Sequence, residues 1–263
     1  KFENKDLDFP IYKNNPTISR SGWIVLFIAL AIGYIFIQGS KIQDGIIACI
    51  VLIIPVLYYL KWDYKAIFQK PTLKDVTLAI ALFIVYILYA YVMTAVLSNF
   101  GIVGNSEGAS ITFMSIPPLI FSLMGEEFVK FIPFMFFLRT SFKYTDNRKL
   151  SIILSMLVVM VLFACIHVYD FKMLMFALFI QGFGSIFEFV GYIKTKNILI
   201  SYITHLCTDV FIYLLIKRVI INNLQRINDT LGRITKGDLN VTVDVRSSQE
   251  FSSLSDDINS TVT

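Results

Sequence analysis

The sequence is short of charge. Of 263 residues only 16% are Asp, Glu, Lys or Arg, where a soluble domain carries roughly a quarter. Together with 56% hydrophobic and 15% aromatic residues, that shortage excludes an ordinary soluble domain and points to the bilayer as solvent. Cysteine is scarce too: Cys49, Cys165 and Cys207 each lie in an apolar stretch, which argues against a disulfide framework and for small buried apolar residues. Cys165 and Cys207 each stand two residues from a histidine, so a thiolate ligand is the other reading. Histidine is scarcer still, with two in the chain. The net charge of +4 is spread over loops, which leaves no basic patch for nucleic acid. No secretory signal with a cleavage site precedes the first apolar run, and no HExxH helix is present. The chain opens on Lys1 rather than Met, the look of a fragment or a processed form.

What is plentiful is long apolar sequence. Stretches over 23–39, 45–61, 76–97, 113–138, 150–168, 172–193 and 198–216 are each about long enough to cross a bilayer. The expected architecture is all-α: a polytopic bundle of 7–8 spans or half-spans. Cytoplasmic loops carry the excess of Lys and Arg. The N-terminal segment has Lys1, Lys5, Lys13 and Arg20, the 61–74 loop has Lys61, Lys65, Lys70 and Lys74, and the 139–149 loop has Arg139, Lys143, Arg148 and Lys149. The 98–112 loop has none. These loops predict an inside N-terminus with 98–112 outside, in the cell membrane. Seven crossings would then end outside, yet Lys217 and Arg218 close the last stretch and predict a cytoplasmic tail. Something in 169–217 must change the parity. Gly182, Gly184 and Glu188 make 172–193 the weakest span, and two glycines predict a pair of half-helices or an eighth crossing there.

The composition turns polar after residue 216, which divides the chain into an N-terminal segment 1–22, a membrane domain 23–216 and a tail 217–263. Leu224, Ile227, Leu231 and Ile234 recur at helical spacing, "KGDLNVTVDV" follows in extended, alternating form, and Glu250, Leu254, Ile258 and Val262 restart a helical seam. Helix, connector, helix directly after a membrane span resembles a HAMP linker, carried by Leu224, Ile227, Ile234, Gly237-Asp238-Leu239, Glu250, Leu254 and Asn259. Asn223 stands where that family has proline and Ser252 where it has glycine. The resemblance implies a parallel homodimer through the tail and an output domain beyond it. A solvated coiled-coil stalk is the plainer reading.

The membrane stretches contain groups that cost about 2.5–3.5 kcal/mol each at mid-bilayer on insertion scales. Glu126, Glu127 and Lys130 fall in 113–138, His167 ends 150–168, and His205 and Asp209 stand at i and i+4 on the last stretch. Intramembrane ionisable groups face a bundle interior and mark functional sites. A carboxylate with a histidine can activate water, and Glu, His and Asp also suit Zn²⁺. Ion pairs of Glu126 or Glu127 with Lys130 and of Asp209 with His205 explain part of the set, but not a second glutamate and two histidines on three spans.

"GEEFVK", Phe163 with His167, and His205 with Asp209 resemble the EExxxR, FxxxH and Hxxx(N/D) motifs of the CPBP family of intramembrane endopeptidases, CAAX proteases and bacteriocin-processing enzymes, over roughly residues 75–216. The resemblance implies that Glu126 and His167 activate water, that Glu127 supports them, and that His205 and Asp209 stabilise an oxyanion or complete a metal shell. A zinc would take Glu127, His167 and His205. The family's arginine is absent: Phe131 holds its place and Lys130 comes one residue early, so EExxK is similar also to PrsW-type proteases. The implied function is hydrolysis of a membrane-associated peptide or protein, coupled to signalling through the tail. A non-enzymatic receptor relaying through the tail is the first rival, and a proton-coupled carrier the second, although no internal repeat supports the carrier.

Overall fold

The computed structural model of the chain describes residues 8–10, 18–102, 116–168, 171–216, 222–245 and 249–262. Among these, every regular element is helical, as the long apolar runs require. The helices are α1 (Arg20–Ile37), α2 (Ile42–Tyr59), α3 (Leu73–Asn99), α4 (Ile116–Thr145), α5 (Arg148–Cys165), α6 (Phe171–Ala177), α7 (Ile186–Thr195), α8 (Ile198–Ile216), α9 (Asn222–Ile234) and α10 (Gln249–Val262). Local chemistry sets several starts. The Ser19 hydroxyl accepts from Gly22 N at 3.1 Å, and the Asn147 side chain accepts from Leu150 N at 2.9 Å. Thr72 and Asp75 form a reciprocal capping box. The chain divides into two compact units, residues 1–106 with 112–208 and residues 107–111 with 209–263. The division falls inside α8, between Thr208 and Asp209.

In the first unit α4 is the central helix. Leu123, Phe128, Ile132, Phe134, Met135 and Leu138 are all at most 1% exposed, and α1, α2 and α5 pack around it. By contrast α3 buries only Ala79, Tyr86 and Leu97 and leaves Leu88 and Tyr91 at 61% and 77% exposed. An apolar surface of that extent belongs in lipid. Among the described residues, six helices are long and apolar enough to cross a membrane: α1, α2, α3, α5, the Met173–Thr195 path and α8. The seventh expected stretch, α4, carries three charges in its apolar half. It tolerates them because protein rather than lipid surrounds it.

The expected reversal within 172–193 is corrected by the structure. Phe171–Thr195 follows one helical path: α6, a π turn (Leu178–Gly182), a 3₁₀ turn (Phe183–Ser185) and α7. The wide turn loosens backbone pairing, and side chains take it up. Tyr89 Oη donates to the Phe179 carbonyl at 2.7 Å, and Ser185 Oγ to the Gly182 carbonyl at 2.7 Å. The glycines serve close approach instead of chain reversal. A Cβ on Gly182 would stand 2.7 Å from the Met160 carbonyl oxygen, and one on Gly184 2.7 Å from the Tyr86 ring.

The basic loops expected on one side share one end of this unit. Asp8 pairs with Arg148 at 2.7 Å and Lys196 at 3.4 Å, while Phe9 is fully buried against Phe134 and Tyr192. Asn197 bonds Gln69 through both its amide atoms, and Ile198 N donates to the Ile67 carbonyl at 2.9 Å. Lys217, Arg218 and most of the 98–112 loop lie outside the described residues.

In the second unit the connector packs back on its helices. Val241, Val243 and Val245 are buried and alternate with exposed neighbours, and Val243 and Val245 meet Ile227 and Ile258. Asn259 brackets Val243, accepting from its N–H and donating to its carbonyl, both at 2.8 Å.

These packing differences set two opposite outcomes. Gly182→Ala presses a methyl on a backbone oxygen that cannot rotate away, so it should cost about 1–3 kcal/mol and lower the thermal midpoint in detergent. Gly232, with open space around it, should accept alanine neutrally or gain up to about 1 kcal/mol of helix propensity.

Candidate functional site

Three helices deliver polar side chains to one point. Glu127 and Lys130 stand three apart on α4 and so share a face. Ser201 and His205 stand four apart on α8, and Glu188 comes from α7. All five are at most 7% exposed. The Lys130 ammonium lies at the centre: it donates to Glu127 Oε1 at 2.6 Å and to Glu188 Oε2, and His205 Nδ1 lies 3.4 Å away. The Phe163 ring completes its surroundings at 4.9 Å.

Glu127 is the most heavily used acceptor. Besides Lys130 it takes the Ser201 hydroxyl on Oε2 and stands 2.8 Å from His205 Nδ1 on Oε1. Since the carboxylate can only accept, Nδ1 donates to it. Nδ1 thereby carries a proton, and Nε2 is the ring nitrogen turned away from Glu127. Nε2 faces Glu126, whose Oε2 is 3.9 Å away, too far for a direct hydrogen bond but near enough for one water to touch both. Glu126 keeps 19% of its side chain exposed where Glu127 keeps 2%. The adjacent glutamates therefore differ in kind: one is locked, the other reachable.

Of the residues singled out in the sequence, Glu126, Glu127 and His205 come together. His167 follows the end of α5, its Nδ1 2.8 Å from the Phe163 carbonyl and its ring 4.7 Å from that of Phe163. Phe163 is thus the link between His167 and Lys130. Asp209 lies one turn beyond His205 on α8, past the end of the first unit at Thr208, and is not assigned to the cluster. The plainer ion-pair reading is realised for Glu127 with Lys130, with Glu188 as a second anion. Glu188 had a signal in the sequence, a lone carboxylate in an apolar run, but it reads there as a weakness of the span. Ser201 had none, since serine is unremarkable in a membrane helix.

Glu127, Glu188 and His205 are a buried group of metal-ligating type, with one donor atom each, all within 4.8 Å of one another. Their spacing does not suit zinc as it stands. Ligands of a tetrahedral ion with bonds near 2.1 Å sit about 3.4 Å apart, whereas Nδ1 and Oε1 are 2.8 Å apart and share a proton. The ammonium already bonds both carboxylates.

Residues 108–211 match the family model described as type II CAAX prenyl endopeptidase Rce1-like. The matched segment is less than half of the chain and spans all three sequence motifs. No curated protein and no solved structure matches the chain significantly.

The ion cluster makes a stability prediction. Lys130→Met leaves two buried carboxylates without their cation and should cost about 3–5 kcal/mol. Adding Glu188→Gln removes one of those charges and should recover part of the loss. Thermal unfolding of the two single variants and the double variant in detergent measures the coupling; strict additivity would mean that the pair does not interact.

Proposed function

We propose that the membrane unit is an intramembrane endopeptidase that hydrolyses a membrane-associated peptide or protein with a water activated by Glu126 and His205. The observation that carries this reading is the asymmetry around His205. Glu127 holds Nδ1 from the buried side, so Nε2 and the more accessible Glu126 carboxylate stand 3.9 Å apart, where one water bound from the side would reach both. A carboxylate there can take a proton as the water attacks a carbonyl carbon, and can return it to the leaving amine. Two contacts with Glu127, from Ser201 and Lys130, keep the imidazole from turning. The likeness of residues 108–211 to type II CAAX prenyl endopeptidases supports the reaction class, and by the same resemblance His167 is a second group for water activation. Zinc would enter this scheme only by displacing the Lys130 ammonium.

The basic loops gathered at the Asp8 end support a cytoplasmic N-terminus in the cell membrane. For the tail we propose a HAMP-like element that pairs with a second copy. Leu224, Leu231 and Leu254 remain 40–49% exposed in the single chain, and a parallel partner would cover them. An output domain would then follow the tail.

Two tests separate these readings. Glu126→Gln keeps the side chain's shape and loses the base, so proteolysis of a reporter peptide in proteoliposomes should fall by at least about 100-fold, the usual worth of a general base, with the thermal midpoint unchanged. Cleavage at the normal rate would make the glutamates structural and favour a receptor. Cysteine at Leu224 should crosslink between copies far more than cysteine at Gln225; equal crosslinking would indicate a loose stalk.

A further inference from the structure

We propose that the Lys130 ammonium is the resident cation of the Glu127–Glu188–His205 site, and that removing it uncovers a binding site for one divalent transition-metal ion. The inference goes beyond the catalytic reading and does not depend on it, because it rests on how the buried charges are satisfied. Carboxylates and imidazole are the donor set that divalent zinc and cobalt prefer. Here the donor atoms converge from three helices, sealed from water, around the place that an ammonium fills.

Charge and size both favour the lysine while it is present. Glu127 and Glu188 contribute two negative charges and Lys130 one positive. A divalent ion added beside the lysine would leave the buried set at +1, an uncompensated charge in a medium that solvates it poorly. The ammonium fills the centre and bonds both carboxylates. Nδ1 and Oε1, 2.8 Å apart, stand closer than the roughly 3.4 Å between ligands of a tetrahedral ion, so the metal has no place while the lysine holds them. The other residues of the adjoining cavity, Phe131, Phe134, Phe189, Tyr192, Ile198 and Ser201, add no anion, and Glu126 stands beyond the imidazole, beside Nε2. Without the ammonium the balance reverses. Two carboxylates and one imidazole then match a divalent ion in charge and in ligand type, and the vacated volume lets Nδ1, its proton released to solvent on metal binding, and Oε1 part to ligand spacing. The early lysine of the EExxK stretch thus sits where a cation is required.

The test counts metal and not turnover, so it can fail without touching the endopeptidase reading, and the loss of that reading would leave it intact. Wild-type protein, His205→Ala, Lys130→Ala and Lys130→Ala with His205→Ala are purified in detergent, stripped with a chelator and dialysed against Co²⁺. Bound cobalt is measured per chain, together with its visible absorption. Lys130→Ala should hold one equivalent with the spectrum of a nitrogen–oxygen site, the added His205→Ala should abolish it, and wild type should hold none at this site. In parallel, Zn²⁺ should leave the wild-type thermal midpoint where it is and raise that of Lys130→Ala. The proposal is overturned if wild type binds one cobalt that His205→Ala removes, if Zn²⁺ raises the wild-type midpoint, or if folded Lys130→Ala binds none. Where Lys130→Ala does not fold, Lys130→Met, which keeps the apolar stem and loses the ammonium, carries the same expectation: one cobalt bound supports the proposal and none overturns it.

Discussion

The cation of Lys130, held between Glu127 on its own helix and Glu188 on α7, is the contact on which the membrane unit depends. Neither carboxylate could be kept charged in an apolar interior alone, and the lysine could not be kept there without them. Joining the three turns separate liabilities into one fixed arrangement, and the arrangement in turn sets the register between α4, α7 and α8. The imidazole of His205 is aimed by the same group, through the Glu127 oxygen that also accepts from the ammonium.

The fold supplies the dry room in which such a cluster can last. α4 is wrapped by other helices along the length that holds its charges, whereas α3 gives most of its surface to lipid. The π turn before α7 contributes too. An extra residue in a helical turn shifts everything after it around the axis, and the backbone groups it loosens are taken by Tyr89 and Ser185. Gly182 and Gly184 let α5 and Tyr86 come close enough to hold that distorted segment in place.

Glu126 and Glu127 show how burial can separate two adjacent residues of one type. A helix turns about 100° per residue, so neighbours in sequence point in different directions. One carboxylate is spent on Lys130, Ser201 and His205, and the other stands 3.9 Å from the second ring nitrogen of the same imidazole. A catalytic reading needs such a division: one group to hold the histidine, and another with access to water.

The sequence by itself determined the solvent, the helical class and the polar residues within the apolar runs, because each charge in an apolar run is visible as a cost wherever the chain places it. The basic loops told which ends belong together, and the Asp8, Asn197 and Ile67 contacts bring those ends together. The alternation of the tail connector was legible as well, and Val241, Val243 and Val245 keep it. What sequence could not decide was partnership. Glu188 lies 58 residues from Lys130 and Ser201 lies 74 from Glu127, and no spacing rule links positions on different helices. The glycines of 172–193 read as a pair of half-helices or an eighth crossing, and only the neighbours that a Cβ would strike showed them serving close packing. Tertiary structure decided which glutamate is locked and which is reachable, because that depends on what stands opposite each carboxylate across the bundle.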